Sequence, residues 1–93
     1  MRINELVWDG WNESHIARHG VRPGEVEDAV FDQRALVLRT RGTRSEARYV
    51  VLGVSGAGKH ILVVLEPIVG GLAYVITARP MTRSERRRFE AGG

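Results

Sequence analysis

Four runs rich in Val, Ile, Leu and Tyr follow residue 33, and only four to six residues separate one from the next. They cover residues 34–40, 47–54, 59–66 and 72–77, each bounded by a glycine-containing turn. A parallel pairing needs a crossover of about a dozen residues or more, so these runs predict an antiparallel meander. The first third has a different period. Ile3–Trp8 reads as a short opening strand, and Asp9 is placed to cap a helix over residues 10–18. Trp11, His15 and Ile16 would face inward, and Gly20 would follow the helix end. Pro23 suits the first turn of a second helix whose buried stripe is Val26, Ala29 and Val30, ending near Phe31. The expected class is α+β. Two N-terminal helices pack on a four-stranded antiparallel sheet, with a possible short N-terminal strand, a C-terminal helix, and the helices on one face.

The C-terminal helix, over residues 82–90, opens with a capping box. Thr82 can accept the N–H of Glu85, and the Glu85 carboxylate can accept the N–H of Thr82. A β-branched strand ending in Arg79 and a turn at Pro80 precede it, and five arginines fall within residues 79–88. A core does not need such a cluster; a surface that meets an anion does.

Ninety-three residues suffice for a single domain with a real core, but not for a cofactor-binding domain plus a second lobe. There is no cysteine, hence no disulfide framework and no thiolate metal site. The first residues lack the apolar stretch of an export signal, and no window approaches the length of a membrane span, so the expected location is cytoplasmic. The net charge of +3 hides a division: residues 1–33 carry three basic and seven acidic side chains, residues 34–93 eleven and four. One face for phosphate and another that avoids it is the functional reading; an ordinary solvated Arg-rich surface is the competing one.

Several motifs are set aside on chemical grounds. Gly53–Lys59 has the spacing of a phosphate-cradling P-loop, but His60 follows where a Ser or Thr would hold magnesium, and Ile61–Leu65 reads as strand rather than helix. A glycine-rich hairpin turn is the better description, with Lys59 just past it able to face a ligand. His15, His19 and His60 lack acidic partners at metal-ligand spacing, so no metal or cofactor is expected. His19, just before Gly20, suits a helix C-terminus. Trp8 and Trp11 could stack on bases, but at the first strand–helix junction they are expected to pack the core edge.

The arginines carry the functional signal. Arg39 and Arg41 alternate on one strand, Glu46 and Arg48 share a face at the start of the next, and Arg79 ends the last. A ribonuclease without a metal needs a base for the 2′-hydroxyl, cations on the developing phosphorane and a proton source for the leaving oxygen. Glu46, Arg48 and Arg79 can fill those roles; an exposed cross-strand ion pair is the alternative. Arg39, Arg41, Lys59, Arg83 and Arg86 are the candidate RNA-binding cations.

In order and spacing, the chain resembles the BrnT family of type II toxin–antitoxin systems, whose members have a RelE-like fold and act as ribonucleases. The matching elements are Val7-Trp8-Asp9, Arg18-His19-Gly20-Val21, Glu25–Phe31, the strand pair Arg48–Gly53 and Ile61–Leu65, and the closing Thr77-Ala78-Arg79 with Thr82 and Glu85-Arg86-Arg87. The resemblance implies a metal-independent endoribonuclease that cleaves RNA by 2′-hydroxyl attack and inhibits translation. It also implies a cognate, BrnA-like, DNA-binding antitoxin that covers the basic sheet face and closing helix, with no membrane and no small-molecule cofactor. Arg48 and Arg79 fall on motif positions, and Glu46 is the general-base candidate. Asn12 stands nearest to where members usually carry a lysine, and Glu66–Gly71 replaces a shorter polar turn. The alternative is a non-catalytic RNA- or protein-binding module on the same fold.

Overall fold

The structure, a computed structural model, describes residues 2–39 and 48–92, with Arg39 described by its backbone alone. Its elements run β1 (Glu5–Val7), α1 (Gly10–Ala17), α2 (Pro23–Val30), β2 (Leu36–Arg39), β3 (Tyr49–Val54), β4 (His60–Pro67), β5 (Leu72–Pro80) and α3 (Arg83–Gly92). The four expected runs form the antiparallel meander, and β1 adds to it by pairing in parallel with β5, giving the order β1-β5-β4-β3-β2. Parallel pairing is possible there because α1 and the meander supply a long connection.

Alternation divides the strands between two apolar layers. Val51, Ile61, Val63, Leu65, Val75 and Ala78 face α1 and α2, where Ile16, Val26, Ala29 and Val30 complete the larger core. Leu52, Val54 and Leu62 face the other way and pack on Phe89 of α3. This corrects the one-face expectation: α3 takes the opposite face from α1 and α2. The physical reason lies in β3 and β4, whose side chains are apolar on both faces, so each face demands a cover.

Local chemistry sets the helix starts. Asp9 accepts the N–H of Asn12 and Asn12 Oδ1 accepts the N–H of Asp9, both at 2.9 Å. Glu25 accepts the N–H of Arg22, just before Pro23 opens α2. The P-loop look-alike is the β3–β4 turn, closed by the Gly58 N–H donating to Ser55 O. Gly53 within it has a packing role, since a Cβ there would run into the Ala29 carbonyl of α2.

Two inward assignments on α1 change. Trp11 is 67% exposed, whereas Asn12 is fully buried with Ile16. The Asn12 amide donates to Val7 O at 3.0 Å and Val75 O at 3.1 Å, clipping α1 to the end of β1 and the interior of β5. The helix rotates to bury a residue that satisfies two strand carbonyls, and Trp11 turns outward as a result. Trp8 does pack at the core edge, with its indole N–H donating to Glu27 at 2.9 Å.

Candidate functional site

β5 ends where the charge begins. Ala78 is buried in the main core, and Arg79, opposite Leu62, emerges on the α3 face. Pro80 and Met81 turn the chain, with the Met81 N–H donating to His60 O at 3.0 Å. α3 then opens with the expected capping box: Thr82 N–H to Glu85 Oε1 at 2.8 Å, and Glu85 N–H to Thr82 Oγ1 at 3.2 Å.

Glu85 also takes the Arg79 guanidinium end-on. Nη1 donates to Oε1 and Nη2 to Oε2, each at 2.8 Å, and Nη1 donates again to Pro80 O at 3.1 Å. The bidentate pair, assisted by the Thr82 N–H, holds the Glu85 carboxyl at about 2, and the same hydrogen bonding raises the already high pKa of Arg79. Three of the five guanidinium hydrogens are thereby engaged. Nε–H and one Nη2–H form the side edge of the fork, with no partner among the described residues. With 37% of the side chain exposed, that edge suits bidentate contact with a phosphate.

Beside this pair, α3 and the sheet enclose a groove of about 510 Å³. Leu38, Val50, Leu52 and Leu62 form an apolar floor, and Ser84, Glu85 and Arg88 form its wall. Arg83, Arg86 and Arg87 are exposed on the same helix, with Arg86 paired to Glu90 at 3.5 Å.

The other expected residues distribute as follows. Arg48 is exposed and immediately precedes β3, at a position that continues the alternation of Val50 and Leu52. Glu46, Arg41 and the Arg39 side chain lie outside the described residues. Lys59 donates to Gly20 O at 2.7 Å and sits 3.4 Å from Glu25, so it ties the β3–β4 turn to the α1–α2 junction. Arg79, Arg83 and Arg86 therefore gather around α3, while Lys59 is engaged on the other side of the sheet. Asn12 is buried and committed to backbone partners.

Three relationships are set by the tertiary fold rather than by a motif read in the sequence. His15 Nε2 lies 3.1 Å from Thr77 Oγ1 and joins α1 to β5 across 62 positions. The Tyr74 hydroxyl donates to Asp9, 3.1 Å from each carboxylate oxygen. Burial first and the Asp9 contact second push the Tyr74 phenol up, so it stays a donor. The Asn12 N–H, chiefly, draws the Asp9 carboxyl down. The third is the Arg79–Glu85 pair itself. Its six-residue spacing across a proline turn was the available cue, masked by the capping role of Glu85. Among the described residues no three His, Asp or Glu side chains converge as metal ligands would.

A protein-family model described as "Ribonuclease toxin, BrnT, of type II toxin-antitoxin system" matches residues 8–85, from Trp8 through Glu85. A search of curated proteins found no match. No helix among the described residues is long and apolar enough to cross a membrane.

Proposed function

We propose, from the premise that the chain belongs to the BrnT family of ribonuclease toxins of type II toxin–antitoxin systems, that it is a metal-independent endoribonuclease that blocks translation. The carrying observation is the Arg79 guanidinium, fixed by Glu85 with its side edge unspent. A cation held this way meets phosphorane charge without having to reorganise as the reaction proceeds. In this reading the 2′-hydroxyl attacks the adjacent phosphorus, the P–O5′ bond breaks, and a 2′,3′-cyclic phosphate and a 5′-hydroxyl result. Arg79 and Arg48 hold the non-bridging oxygens, Glu46 removes the 2′ proton, and solvent water protonates the departing 5′ oxygen. Arg39, Arg41, Arg83 and Arg86 carry the flanking backbone; Lys59, already engaged by Gly20 and Glu25, contributes least.

The toxin acts in the cytoplasm and is neutralised by a BrnA-like, DNA-binding antitoxin that covers the α3 face. Incubation of the purified toxin with end-labelled RNA in EDTA tests the chemistry. Cleavage that persists under chelation and leaves cyclic-phosphate ends is expected. Cleavage that returns only on adding a divalent ion would contradict it, and intact RNA bound in a salt-sensitive way would indicate a silent binding module.

A further inference from the structure

Trp11 is 67% exposed, yet it is not loose. Its indole stacks on the His15 ring, with centroids 5.4 Å apart and planes 3° from parallel, and His19 meets His15 edge-on at 5.6 Å. The next row of α1 holds Ser14 and Arg18. Together with Gly10, Trp11 and His15 they line a concavity of about 380 Å³. A large aromatic face is thus held rigid, open to solvent, and flanked by a hydroxyl and a guanidinium.

His15 ties this surface to β5, the strand that ends in Arg79. His15 is bonded to Thr77, two positions before Arg79 on β5 and so about 7 Å along the strand. β1 pairs with β5 only at Leu72–Tyr74, so among the described residues Thr77 and Arg79 lie on a sheet edge, and a strand of RNA whose phosphate met Arg79 on the α3 face would reach α1 by rounding that edge. We infer that Trp11, braced by His15, is a base-stacking subsite for single-stranded RNA, with Arg18 on the adjoining phosphate. Unpaired bases are recognised by stacking on aromatic planes with nearby guanidinium groups, and this concavity supplies both. The inference rests on the ribonuclease reading for the direction of the strand, but its binding term stands apart from the chemistry at Arg79.

The test is fluorescence anisotropy with a labelled, fully 2′-O-methylated octanucleotide of mixed sequence, which binds without being cut. Trp11→Ala should weaken binding about 5- to 150-fold, the span of one lost base stack, and leave the salt slope unchanged. Trp11→Phe should recover most of that loss. Arg18→Ala should flatten the salt slope by about 0.7, as expected for one phosphate contact on a single strand. Trp11 buries little, so the thermal midpoint should stay within a few degrees. Wild-type affinity in Trp11→Ala would overturn the stacking subsite. So would a loss confined to binding of the cognate antitoxin, which would make the stripe a protein surface. If the wild-type toxin failed to bind the octanucleotide at all, the ribonuclease reading itself would fall.

Discussion

Glu85 grips Arg79 through two parallel hydrogen bonds of 2.8 Å while also accepting the N–H that opens α3. One carboxylate therefore sets both the start of a helix and the direction of a guanidinium. Because the end-on edge of the fork is occupied, the side edge is the one left to take a further ligand. The sheet, the proline turn and the helix cap all converge on that orientation.

In the proposed mechanism Glu85 is accordingly a positioning residue. Glu85→Gln keeps an acceptor for the Thr82 N–H but loses the charge and one acceptor for Arg79. The rate of RNA cleavage should fall about ten- to a hundredfold, mostly in kcat, in a variant that stays folded at neutral pH but loses the stability the ion pair contributes. Arg79→Lys keeps a charge but not the fork, and should lose at least as much. Single-turnover kinetics of both variants distinguish this from a purely structural role, which would lower stability and spare kcat.

Stability should depend on acid through the same pair. The folded-state value for Glu85, about 2, lies below its ordinary 4.5. Its contribution is therefore complete above about pH 4.5 and is lost as pH falls toward 2. Asp9 and Glu25, held down chiefly by the N–H groups of Asn12 and Arg22, act in the same direction. Urea melts from pH 6 to pH 2.5 should show stability falling with acid, with a shallower fall in Glu85→Gln.

Position 12 should not tolerate a lysine. Asn12→Lys would put an ammonium into a fully buried position and leave the Val7 and Val75 carbonyls without the amide. Asn12→Ala removes the return half of the capping box and both clips, at a cost of about 2–4 kcal/mol. Denaturant melts should show both variants destabilised, and Asn12→Lys should gain no cleavage activity.

Gly53→Ala should also destabilise, by about 1–3 kcal/mol or more. The added methyl meets the backbone carbonyl of Ala29, which can yield only by moving α2 off the sheet. A thermal midpoint lower by at least about 4 °C is expected.

These residues show what the chain discloses in advance. The N-cap at Asp9, the capping box at Thr82, the proline start of α2 and the glycine turn after β3 are local, and sequence alone displays them. The face taken by α3 was less accessible, because it depends on which side of a doubly apolar sheet remains uncovered. Trp11 and Asn12 exchanged roles for a similar reason. Two backbone carbonyls, one of them sixty-three positions away, decide which residue turns inward. At the site, Arg79 was visible as a motif residue. Its partner was hidden because Glu85 already had a sufficient explanation as a cap.

The central claim is that a guanidinium fixed by Glu85 at the end of β5 performs the stabilising work of RNA cleavage. It is tested most directly by comparing Arg79→Ala with wild type on labelled RNA in EDTA, with folding checked by circular dichroism. The account predicts a folded variant whose cleavage rate falls about a hundred- to a thousandfold and which no longer arrests growth when expressed. A folded Arg79→Ala toxin that cuts RNA at the wild-type rate would contradict it.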